Sequence, residues 1–315
     1  MLGGLLAAFA TLRCAVSLHA TTRPRYIYLI LNFPNRIVRT DINGQNQVVL
    51  LEGLGHPHAL AVDDFHRKMY FGVSDDASDR LMRSDLTGRN AEELVQGVHV
   101  GGVAVDPHGG AVYWTELDQG LVQRARLDGS QVETLVSGLE DPGGLDLDLH
   151  EGQVFWCDQT GWERRKGRIQ RSWLNGSNVT DLRETPFPMD VAVDLAHQQL
   201  YYTDAGSYEI TRCDFTGAEC EVILNKTVEV NESAKQGRHI NGLLDPHGIV
   251  LDHQGKIYFT LLGTAYRAKG GASISRNAKL QRCNLDGSHL EILAEFGSTQ
   301  PVSIALSTVS ETEEL

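Results

Sequence analysis

The sequence is short of apolar runs. None approaches the ~18 residues that a membrane-spanning helix needs, so no membrane span is expected. It is short of positive charge as well, with 28 Lys and Arg against 41 Asp and Glu and a net charge of −13. A nucleic-acid partner calls for a basic footprint, and that class is excluded. Cysteine is scarce, at five residues. No Cys-x-x-Cys or His-x-x-x-His spacing suggests zinc, so neither a metal nor a cofactor is expected.

What the chain does have is a repeat. Six segments carry an Arg followed five residues later by a Gly: RIVRTDING (36–44), RLMRSDLTG (80–88), LVQRARLDG (121–129), RIQRSWLNG (168–176), EITRCDFTG (209–217) and KLQRCNLDG (279–287). Asn-Gly, Asp-Gly and Thr-Gly between alternating apolar positions mark hairpin turns, because glycine accepts positive φ. Each segment therefore reads as a third strand turning into a fourth. Ahead of them lie six aromatic runs of strand length: YIYLI (26–30), MYFGV (69–73), VYWTE (112–116), VFWCD (154–158), LYYTD (200–204) and IYFTL (257–261).

Five of these runs follow an apolar strand that ends in Asp, namely 58–63, 101–106, 143–148, 189–194 and 247–252. The sixth first strand is missing before Tyr26 and reappears at the far end as PVSIALS (301–307). The expectation is an all-β, six-bladed propeller over residues 24–309, closed when 301–307 pairs with 26–30. Closure removes the exposed sheet edge. The repeated arginines and aspartates read as structural.

Residues 2–11 are apolar and Ala20 could close a cleavage site, so 1–20 reads as a secretory leader. Residues 310–315 form an acidic tail. Sequons stand at Asn175, Asn178, Asn225 and Asn231, and the secretory pathway is the expected compartment. Cys213 and Cys220 flank a tight turn. They could face each other as a disulfide, or remain two thiols in a packed sheet.

The runs VYWTE, LYYTD and VFWCD, each after a strand ending in Asp, resemble the YWTD propeller repeat of the low-density-lipoprotein-receptor class. A lone propeller behind a leader is similar in organisation to the free-standing fungal members of that class. Some of those are hetero-Diels–Alderases, which join a tropolone-type quinone methide to a humulene-type sesquiterpene. The resemblance implies a cofactor-independent cyclase acting on apolar small molecules. Two other classes stay open: a non-catalytic ligand-binding propeller, and a metal-assisted lactonase or lyase.

Strand direction alternates within a blade, so all long insertions fall on one face: 225–245, 263–279 and 159–168. The first strands enter the channel wall from that face. His58 and His247 stand where other blades carry Gly, Met or Val, which makes them the candidate donors or acid–base groups. Met189 and Asp190 share this mouth, and the insertions add His239, Asn241, Tyr266, Arg267 and Trp162 as candidate substrate contacts.

Overall fold

The computed structural model describes residues 23–76, 78–160, 164–225, 245–252, 254–263, 265–267, 273–275 and 277–309. The leader and the acidic tail lie outside them. The described residues form six four-stranded antiparallel sheets and one two-stranded ribbon, and no helix among them is long and apolar enough to cross a membrane. Blade one takes its innermost strand, Gln300–Ser307, from the end of the chain and pairs it with Tyr26–Asn32. The other innermost strands are His56–Asp63, Val100–Asp106, Asp141–Asp148, Pro188–Asp194 and Pro246–Leu251, each followed in order by its second, third and fourth strands.

Burial explains the composition of each layer. The second strands are covered on both faces by neighbouring blades, so they read as continuous apolar runs. Ile27, Tyr28, Leu29 and Ile30 are almost fully buried, as are Trp114 and Trp156. The outermost strands, such as Val48–Glu52 and Glu92–Gln96, are largely exposed and mix charge with aliphatics. The core is six clusters, each lying between two blades. One joins Tyr28, Ile30 and Ile37 to Leu60, Met69 and Phe71, and another joins Ile27 and Leu29 to Tyr258 and Leu280 across the closure.

The repeat residues hold one blade to the next. The six hairpin glycines, Gly44, Gly88, Gly129, Gly176, Gly217 and Gly287, have φ between +75° and +80°. A Cβ on any of them would fall within 2.7 Å of a carbonyl oxygen on the preceding blade's outer strand, as with Gly88 and Leu50 at 2.2 Å. The arginines span the same seam. Arg83 donates to the Leu127 carbonyl at 2.6 Å, and Arg124 donates to that of Leu174 at 3.1 Å. The repeated aspartates accept turn amides, for example Asp63 from His66 at 2.9 Å and Asp252 from Gln254 at 2.8 Å. Cys213 and Cys220 stand opposite one another in the hairpin and are joined as a disulfide, with Cα atoms 4.1 Å apart. Cys157 and Cys283 are free and buried.

Candidate functional site

The innermost strands surround a channel of about 700 Å³ along the ring axis. Their small side chains make the room. Gly102 and Gly144 bring blades three, four and five into near contact, and a Cβ on Gly144 would lie 2.0 Å from the Asp190 carboxylate. All six innermost strands break register with their partner just inside the mouth, as between Pro57 and Leu60, Pro188 and Asp190, or Pro301 and Ser303. Such a bulge bends the strand and turns backbone amides out of the ladder.

Side chains capture several of those amides and tie successive blades together. The Asp146 carboxylate accepts from the Leu147 amide and from the Val193 amide of the next blade, both at 2.8 Å. Asp190 does the same one blade further on, accepting from Val191 and Ile249 at 3.0 Å. The Ser303 hydroxyl accepts from Leu60 at 3.1 Å across the closure. The threonine of the aromatic repeat completes the pattern. Thr203 accepts from the Asp190 amide at 3.2 Å and donates to the His247 carbonyl at 2.6 Å. Thr115 links Gly102 to Gly143 in the same way, at 2.7 and 2.6 Å.

The channel is graded along its length. At the mouth stand Asn32, His58, Asp141, Gln159, Met189 and His247. A middle belt holds Asp146, Asp190 and Ser303, and the far end is aliphatic, with Val62, Val105, Leu147, Val193 and Leu251. Burial drives the titrations. It pulls His247 down from 6.5 to about 4, and one of its ring nitrogens is hydrogen bonded to the Val302 backbone. His58 also falls to about 4, through burial and then the neighbouring charge of His99. Asp190 moves the other way, to about 7, because burial outweighs its two amide bonds. Burial likewise raises Asp141. At neutral pH both imidazoles are uncharged, so each offers one donor and one acceptor nitrogen.

Four of the expected contact residues, His58, His247, Met189 and Asp190, meet in this channel. Asp190 has both oxygens committed to backbone amides, so its role here is to tie blades together. Tyr266 and Arg267 lie in a short ribbon, Ala265–Arg267 paired with Ser273–Ser275, apart from the sheet of blade six. His239, Asn241 and Trp162 lie outside the described residues. Gln159 was not foreseen. Its amide donates to the Pro188 carbonyl at 2.9 Å and meets the Met189 sulfur at 3.5 Å, so it fixes one wall of the mouth. Its position directly after VFWCD was the available signal, since that strand ends on the insertion face.

No family model matches the chain. It is 28% identical over 233 residues to the vitellogenin receptor Yl of Drosophila melanogaster, a match covering 70% of this chain and 11% of that receptor. The chain therefore spans about a tenth of the curated relative's length. Among solved structures, a chain of a nidogen–laminin complex superposes with TM-score 0.69 at 18% identity, over 90% of this chain and 97% of that one. TolB from Acinetobacter baumannii gives 0.64 at 13%, over 90% and 66%. A gluconolactonase from Xanthomonas campestris gives 0.60 at 16%, over 92% of each. The solved structures share the fold of this chain, a six-bladed β-propeller.

Proposed function

We propose that this propeller is a cyclase of the hetero-Diels–Alder type, which binds apolar reactants in the mouth of its channel. The observation that carries the reading is the channel itself: about 700 Å³, aliphatic at its far end, with the uncharged imidazoles of His58 and His247 at its opening. A cycloaddition asks little else of a protein. The heterodiene contributes four π electrons and the alkene two, one C–C and one C–O bond form, and no atom leaves. Most of the protein's contribution is to hold the two partners in a reactive pose.

His247 has the chemistry to prepare the heterodiene. If the quinone methide arises in place by loss of water, the precursor gives up one proton and one hydroxide, and the hydroxide departs as water with that proton handed back. With one nitrogen bonded to the Val302 backbone, the other ring nitrogen can take up that proton. A donor near the heterodiene carbonyl stabilises the charge that builds there, and the aliphatic walls keep water from the intermediate. Exposed sequons at Asn175 and Asn178, with the Cys213–Cys220 disulfide, support a place in the secretory pathway.

The test is incubation with a quinone-methide precursor and a humulene-type alkene in chelator-treated buffer. The expected result is acceleration and stereoselectivity over the spontaneous reaction, reduced roughly 10²-fold in His247→Gln as for loss of a general base. No acceleration would overturn the reading. It would favour the second one, a non-catalytic ligand-binding propeller, which the likeness to the vitellogenin receptor supports. Activity seen only without the chelator would point to a metal-assisted lactonase or lyase.

A further inference from the structure

The rim of the channel between blades two and three holds a cluster that the cycloaddition does not use. Asp79, at the start of the third strand of blade two, His99, just before blade three, and Asp118, in the turn after Glu116, each bring one ligand atom within 4.8 Å of the others. His99 Nδ1 is 3.1 Å from Asp118 Oδ1. A fourth group adjoins them. The His58 ring centroid is 5.2 Å from that of His99, and His58 Nε2 is buried with no hydrogen-bond partner.

We propose that His99, Asp79 and Asp118, with His58 as the fourth group, bind one first-row divalent cation of the zinc class. The ring spacing fits, since two imidazoles on one tetrahedral ion have centroids about 5 Å apart; the ligand atoms of His99, Asp79 and Asp118, within 4.8 Å of one another, close to about 3.3 Å as the ion binds. The charges fit as well. Two carboxylates drawn together at the rim, Asp79 partly buried and Asp118 exposed, repel each other, and a cation relieves that repulsion and gives the buried His58 nitrogen a partner. The donor set of two imidazoles and two carboxylates selects a borderline ion over calcium or magnesium, which prefer oxygen alone. The sequence gives no warning because the usual spacing rules find ligands that share one element. These four come from four separate segments, which the ring brings together.

The test uses the full-length protein, freed of metal with a chelator and then exchanged into chelator-free buffer. Titration with zinc chloride by calorimetry should show one equivalent bound. Affinity should fall roughly tenfold or more in His99→Ala and in Asp79→Asn. It should hold in His150→Ala, which removes a surface histidine paired with Glu151 at 2.7 Å. Cobalt(II) should give the strong visible bands of four-coordination, and these should weaken in His58→Gln. If His99→Ala fails to fold by circular dichroism, the exposed Asp118→Asn takes its place. No binding, equal affinity in the ligand variants, or equal loss in His150→Ala would each overturn the proposal. The cycloaddition assay runs without metal, so either idea can fail while the other stands.

Discussion

Asp190 and His247 lie on adjacent blades of one channel, and burial moves their titrations in opposite directions. The native histidine titrates at about 4 against an ordinary 6.5, as does His58. As pH falls below 6.5 the unfolded chain takes up these protons first, so stability is lost down to about 4. Asp190 titrates at about 7 against an ordinary 3.8. Its native form keeps the proton longer than the unfolded chain does, so its contribution is fullest below 3.8 and is lost as pH rises through 7. The two windows overlap with opposite sign, so between about pH 6.5 and 4 urea midpoints should fall less steeply with acid in His247→Gln and more steeply in Asp190→Asn. Unchanged slopes would mean that neither group is held as described. At this scale the sequence was legible in part. His58 and His247 stood out because they stand in an aligned row that is otherwise Gly, Met or Val. The double amide capture by Asp190 was hidden, because it depends on a bulge that no residue type announces.

At the scale of the strand and hairpin, the repeated arginine was legible as structural from its period alone. What it does there needed the neighbouring blade. Arg83 makes two kinds of contact: to the Leu127 carbonyl across the seam at 2.6 Å, and to Glu92 within its own hairpin. The Glu92 side chain is 51% exposed, so that ion pair is screened and contributes less than about 1 kcal/mol. The carbonyl contact is half-buried and leaves an acceptor unmet when it is lost, which costs about 1–3 kcal/mol. Arg83→Met should therefore destabilise the fold by about 1–3 kcal/mol and Glu92→Gln by under about 1 kcal/mol, measured by urea unfolding. Equal effects would show that the local pair, not the seam, is what matters. Gly129→Ala tests the same seam from the turn. Its φ of +80° and the 2.5 Å approach of the Leu94 carbonyl leave no room for a methyl group, so it should cost more than an alanine placed at Gly110, where nothing lies within 4 Å.

For the molecule as a whole, the decisive feature is that blade one is built from both ends of the chain. The fold was legible at this level because six copies of three strands and five of the fourth leave a single arrangement that closes a ring. The insertion loops were not, since they carry no period and depend on contacts that alignment cannot supply. Closure also has a lock beyond the ladder itself. Asp64, in the turn after the innermost strand of blade two, accepts from the Ser307 hydroxyl at 2.6 Å, and from the Thr308 amide and hydroxyl at 2.7 Å each. This gives three graded expectations. A chain ending at Val309 should melt as the whole protein does. One ending at Leu306 keeps most of the strand but loses the Asp64 lock, and should melt at lower temperature while remaining cooperative. One ending at Thr299 exposes the apolar edge of Tyr26–Asn32 and uncovers Ile27 and Leu29, so it should lose its cooperative transition and self-associate, as open strand edges do. Calorimetry and size-exclusion chromatography separate the three. A cooperative, monomeric chain ending at Thr299 would mean that the other five blades hold the ring without its closing strand.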